Sequence, residues 1–280
     1  MKPPSVARLA RVPSSMRMGL WSGLSPYLWT LTLALALVIR SLPAQAQGGQ
    51  AVDLELTLLV DVSASVSDEE YRLQAGGLAT AFRSTAVLNA IRSSAHRGIA
   101  VSVIQWANQE NQRVSVGWML VRGEADALGL AARIASMPRL IHGGHTALGS
   151  ALAFGMQELE SNRFAGLRRV IDLSGDGRTN DGRPLRVVRE EVIEHGITIN
   201  GLAILNELPL LDAYFRDHLI GGDGAFFMVA QDYRDFAQAM IHKLVREIRS
   251  VPLSENEAPN PVYEAHAETA PLSGSNLAEP

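Results

Sequence analysis

The sequence predicts an α/β fold of three layers, with a doubly wound, mostly parallel sheet, one antiparallel edge strand and helices on both faces. Three observations carry that expectation. Apolar runs at 54–60 and 169–173 read as strands buried on both faces, as parallel strands are. Helical patterns alternate with strands along the chain, the signature of βαβ crossovers. Residues 99–106 and 113–118 read as two more strands joined by a short polar loop, and such a hairpin supplies an antiparallel edge.

Each element follows from local signals. The first strand, Leu54 to Val60, runs directly into Asp61. Ser67, with Glu70 three residues on, forms a capping box that opens a helix through Tyr71, Leu73 and Leu78 to about Phe82. After the hairpin, a helix over 126–137 is closed by Pro138, whose ring cannot continue it. Thr146 stands at the head of the run 147–159, where an N-cap hydroxyl is expected. The strand 169–173 is followed by Ser174-Gly175-Asp176-Gly177, and a helix over 183–195 is closed by Gly196. The strand 197–204, a helical segment 210–219, a strand 226–229 and a helix 232–249 complete the series. Residues 250–280 are rich in Pro, Glu, Asn, Ser and Ala, cannot bury enough apolar surface to fold, and read as a disordered tail.

Composition bounds the rest. With 280 residues, 47% of them hydrophobic, the chain supports one domain of about two hundred residues plus appendages. Its 25 basic and 29 acidic residues are unclustered, so it has neither a nucleic-acid footprint nor a polybasic membrane patch. The lack of cysteine excludes disulfides, thiolate nucleophiles and cysteine-based zinc sites. Residues 1–46 read as a signal peptide: Lys2, Arg8, Arg11 and Arg17 precede an apolar stretch from Tyr27 to Ile39, and Ala44-Gln45-Ala46 is a small-residue cleavage site. Translation starting at Met16 or Met18, rather than Met1, gives the leader a conventional length. An uncleaved anchor is the competing reading, but the apolar run falls short of the roughly twenty residues a spanning helix needs. The expected location is the bacterial periplasm or outside the cell, with no stable membrane span after cleavage.

Chemistry concentrates at three element boundaries. Asp61, Ser63 and Ser65 lie just past the end of the first strand, where ligands collect in open α/β sheets. Their alternate spacing turns three oxygen side chains into one crevice if the backbone stays extended, and such donors suit Mg²⁺, Mn²⁺ or Ca²⁺. Thr146 follows two glycines at a helix start, and Gly175 and Gly177 bracket Asp176 so that its carboxylate can approach a neighbouring loop. Taken singly, each is an ordinary turn or cap. His145 beside Thr146 reads as a rim side chain. Asp172, inside a strand, reads as a buried carboxylate hydrogen-bonded to a neighbouring loop, with support of the site as its functional alternative.

Together, Asp61-x-Ser63-x-Ser65, Thr146 and Asp176-Gly177 resemble the metal-ion-dependent adhesion site of the von Willebrand factor A domain, over residues 51–249. Asn180, the strand 197–204 and the Gly221-Gly222-Asp223-Gly224 turn resemble a bacterial A-like family of uncharacterised function, of the DUF1194 type. The resemblance implies that the two serines and the threonine approach the ion closely while both aspartates act through water. It also implies a binding function, in which the cation captures an Asp or Glu of a protein partner, with no catalytic residue. Two alternatives stand beside it. One is a metal-dependent phosphoesterase with Asp61 as nucleophile; it would want a second aspartate where Ser63 stands, and a lysine, of which Lys243 is the sole example after the leader. The other is a structural metal site with no ligand.

Overall fold

A computed structural model describes residues 49–94 and 96–250. The expected leader at 1–46 and the expected tail beyond Ser250 lie outside the described residues. Six strands form one sheet: β1 (Gln50–Asp61), β2 (Ile99–Trp106), β3 (Gln112–Val121), β4 (Phe164–Gly175), β5 (Thr198–Ile204) and β6 (Phe227–Ala230). They lie in the order β3-β2-β1-β4-β5-β6, and every neighbouring pair is parallel except β2 with β3. The hairpin is thus the antiparallel edge. The strands without side-chain alternation, β1 and β2, run through the middle, and every residue of β2 is buried.

Helices cover both faces. On one side α1 (Asp68–Arg83), α2 (Thr85–Ser94), α3 (Glu124–Ala135) and α7 (Phe236–Arg249) enclose a core with Leu56, Leu58, Val101, Phe82 and Phe236. On the other, α4 (Leu148–Ser161), α5 (Leu185–Glu194) and α6 (Leu211–Tyr214) pack with Leu59, Ile104, Ile171 and Leu173. After α6 the chain widens into a π-helical turn over Phe215–Leu219, where the Ile220 amide donates to the carbonyl five residues back, on Phe215 (3.0 Å). This divides the single segment expected over 210–219.

The capping box at Ser67 and Glu70 forms as the spacing predicts, with 2.7 and 3.2 Å bonds. Helix α2 is an addition to the predicted elements. Its buried face is Val87, Ala90 and Ile91, and the Ser84 hydroxyl accepts from the Val87 amide (3.3 Å), but ten residues make only a short periodic signal. Two buried polar residues of β1 find partners. Glu55 of β1 accepts from the Gly166 amide and the Asn162 side chain, and Thr57 bonds Ser102 across the sheet at 2.8 Å.

A three-residue charge cluster joins β4 to α7. Lys243, fully buried, sits 2.9 Å from Asp172 and 2.5 Å from Glu247, and Asn200 of β5 donates to Glu247 at 3.1 Å. Asp172 is therefore engaged on the α7 face of the sheet. Burial, and then the Glu247 charge, push its carboxyl up to about 7 while Lys243 pulls it down. Its partner is a helix lysine, rather than the loop hydrogen bond expected of it, and it does not support the strand-end site.

Candidate metal centre

Parallel pairing brings the first and third boundary loops together. Val60 of β1 is in register with Ser174 of β4, so Asp61 and Asp176 leave adjacent strands at nearly the same level. The Ala147 amide bonds the Ala107 carbonyl past the end of β2 (2.9 Å), and the Ala64 amide bonds the Gly144 carbonyl (2.9 Å). These two bonds draw the Thr146 loop over the serines. Gly143 and Gly144 take φ of 74° and 111°, conformations that L side chains rarely adopt, which is what the bend into Thr146 requires.

The five side chains then form one connected group. Asp61 Oδ1 accepts from the Ser63 amide (2.8 Å), Ser63 Oγ lies 3.3 Å from Ser65 Oγ, and Ser65 Oγ donates to Asp176 Oδ1 (2.7 Å). Thr146 Oγ1 donates to Ser63 Oγ at 3.5 Å. Thr146 does not cap its helix: Ala147 is the N-cap residue and α4 has no side-chain cap, because the threonine hydroxyl is turned toward the serines. Asn180 frames Thr146 from behind, its side chain accepting from the Thr146 amide (2.8 Å) and its own amide donating to the Thr146 carbonyl (2.9 Å). His145 is exposed at the rim. Ser65, Thr146, Asp176, Arg178, Asn180 and Leu208 line the crevice above.

The site buries two carboxyl groups side by side. Asp61 is 0% exposed, and its Oδ2 has no hydrogen-bond partner. Burial, and then the Asp176 charge, push its carboxyl up to about 7. Asp176 is also raised, by burial, although Ser65 and Tyr233 bond its charged form and oppose the shift. A Cβ on Gly175 would lie 3.0 Å from Asp61 Oδ2, so glycine keeps that oxygen clear. Two desolvated carboxylates beside three hydroxyls are an oxygen-donor set for a hard divalent cation, and an orphaned buried oxygen is a group such an ion would satisfy.

Three supporting residues carry no local mark in the sequence. Tyr233, just before α7, donates to Asp176 Oδ2 (2.9 Å), so both Asp176 oxygens are held. Burial, with the Asp176 and Asp61 charges, raises the Tyr233 hydroxyl far above its ordinary range and keeps it a neutral donor. Gln74 of α1 donates to the Asp61 carbonyl (2.9 Å). Arg139 donates to the Val62 and Val66 carbonyls on either side of the serines.

This strand order and layer plan are those of the von Willebrand factor A-type fold. The chain belongs to the family described as "Protein of unknown function (DUF1194)", which matches residues 51–252. No curated protein matches it. Among solved structures, proximal thread matrix protein 1 from the mussel byssus, with a zinc-occupied MIDAS motif, is 14% identical at a TM-score of 0.51, over 72% of this chain and 49% of that one. A von Willebrand factor type A protein from Catenulispora acidiphila is 16% identical at 0.50 (70% and 43%). The pilus adhesin SpaC from Lactobacillus rhamnosus GG is 12% identical at 0.51 (72% and 31%). The chain spans less than half the length of each, and at such identities the likeness shows a shared fold. Among the described residues, no helix is long and apolar enough to cross a membrane.

Proposed function

We propose that this chain is an exported binding module in which Asp61, Ser63, Ser65, Thr146 and Asp176 hold a divalent cation, Mg²⁺ or else Mn²⁺ or Ca²⁺, for an acidic side chain of a protein partner. The observation that carries this reading is the buried, unpartnered Oδ2 of Asp61, in one connected group with a second carboxylate and three hydroxyls. Adhesion proteins and a MIDAS-bearing matrix protein among the fold neighbours support it.

The chain's own residues set what the site does. The Ser63 amide orients Asp61, and Ser65 and Tyr233 fix both oxygens of Asp176. If both aspartates act through water, as the resemblance implies, the nearest ligands are three neutral hydroxyls, and a bound cation would stay electrophilic enough to accept a carboxylate. Arg178 on the crevice wall favours the same ligand, and Leu208 offers it an apolar contact. For phosphoryl chemistry a lysine is the missing part, since Lys243 is taken up by Asp172 and Glu247.

The test is capture from periplasmic extract by wild type and Ser63→Ala, in Mg²⁺ and in EDTA. A protein retained by wild type in Mg²⁺ alone is the expected result. Identical captures in all four arms would refute the reading. If metal raises the melting temperature without any metal-dependent capture, the site is structural, and Mg²⁺-dependent turnover of a phosphoester panel would make it catalytic.

A further inference from the structure

Arg139 joins the two halves of the site. It follows α3, on the segment that leads into the Gly143–Thr146 loop, and its side chain is only 10% exposed. Its Nη2 donates to the carbonyls of Val62 (3.1 Å) and Val66 (2.8 Å), its Nη1 to Asp68 (2.7 Å), and its Nε to the Ile141 carbonyl (3.0 Å). Val62 and Val66 bracket Ser63 and Ser65, so one guanidinium closes the serine loop from both ends while its own backbone belongs to the segment bearing Thr146. The Tyr71 ring lies 5.9 Å from the guanidinium carbon, and the Tyr71 hydroxyl bonds the Met137 carbonyl (3.1 Å), steadying the same segment. Only a planar fork of donors serves four acceptors in different directions; an ammonium is a point charge on a flexible stem.

We propose that Arg139 is a positioning residue of the cation site, setting metal affinity by holding Ser63 and Ser65 against Thr146 without touching the ion. The inference rests on the reading that those residues bind a divalent cation. A merely structural arginine would lower the melting temperature and leave the bound ion's surroundings unchanged. A positioning residue changes the ion's coordination in protein that is still folded.

The test titrates Mn²⁺ into full-length wild type, Arg139→Lys and Arg139→Met at a temperature where circular dichroism shows each variant folded. Calorimetry reads affinity, and electron paramagnetic resonance reads the symmetry around bound Mn²⁺. Arg139→Met is expected to bind about 10- to 100-fold more weakly, the range for outer partners of metal ligands, with an altered spectrum. Arg139→Lys keeps the charge but not the fork, so it recovers part of the affinity and keeps the altered spectrum. A folded Arg139→Met that binds within about twofold of wild type with an unchanged spectrum overturns the proposal. If Arg139→Met does not fold, Arg139→Lys is judged by those same two readouts. Absence of Mn²⁺ binding by wild type strikes down the metal reading, and this inference with it, so the two failures are distinguishable.

Discussion

Replacing Lys243 by methionine tests whether the charge cluster between β4 and α7 is held together by its ammonium. Methionine keeps most of the stem's bulk beside Phe226, whose ring centroid lies 4.7 Å from the Lys243 nitrogen, so the change is mainly loss of charge. Left behind are Asp172 and Glu247, both at most 2% exposed. Breaking a buried pair by removing one partner costs about 3–5 kcal/mol, because a charge is stranded in a medium that cannot solvate it.

The loss must depend on pH, and its sign follows from Asp172. Its carboxyl, ordinarily at 3.8, is raised to about 7 in the fold, so it favours the native state while protonated. That contribution is complete below 3.8 and is lost as pH rises through about 7. Lys243 is the charge that pulls Asp172 down, so its removal carries the decline to higher pH. We expect urea unfolding followed by circular dichroism to show Lys243→Met destabilised by about 3–5 kcal/mol near pH 8, and by about half that near pH 5, where protonated Asp172 can donate to Glu247. An equal loss at both pH values, or one below about 1 kcal/mol near pH 8, refutes the reasoning.

Three further outcomes follow from the site and its frame. Mg²⁺ or Mn²⁺ at about a hundred times its dissociation constant should stabilise wild type by about 3 kcal/mol, and Asp61→Ala or Asp176→Ala should lose this shift in thermal melts while remaining folded. Tyr233→Phe removes one of the two bonds that hold Asp176; about 1 kcal/mol of stability and about tenfold in calorimetric Mn²⁺ affinity should go with it. Ser67→Ala breaks the α1 capping box and should lower urea stability by about 1 kcal/mol, whereas a loss below about 0.3 kcal/mol would mean that the box does not hold the helix start.

Much of the architecture is legible without coordinates because its signals are local. The apolar runs that become β1, β2, β4 and β5 are buried on both faces, and only a covered parallel sheet accommodates such runs. The hairpin reads as the edge because a loop of a few residues leaves no room for a crossover. Short or irregular pieces were less legible: α2 is too brief for a secure period, and the π turn after Tyr214, with Phe215 and Leu219 buried, carries no residue type that marks it.

What the sequence determined by itself is the layer plan and the three loops on which Asp61, Ser63, Ser65, Thr146 and Asp176 lie. What only the tertiary structure decided is which of their atoms meet. Ser65 and Asp176 are 111 residues apart, and Arg139 and Val62 77, so neither contact leaves a periodicity or a turn signal behind. A threonine at a helix start serves the backbone unless a neighbouring loop offers a closer oxygen, and here Ser63 does. An aspartate in a strand takes whichever cation the opposing helix presents, and for Asp172 that is Lys243, 71 residues away by number and 2.9 Å away in space. Side chains respond to burial and charge from every direction, whereas sequence patterns record only neighbours along the chain.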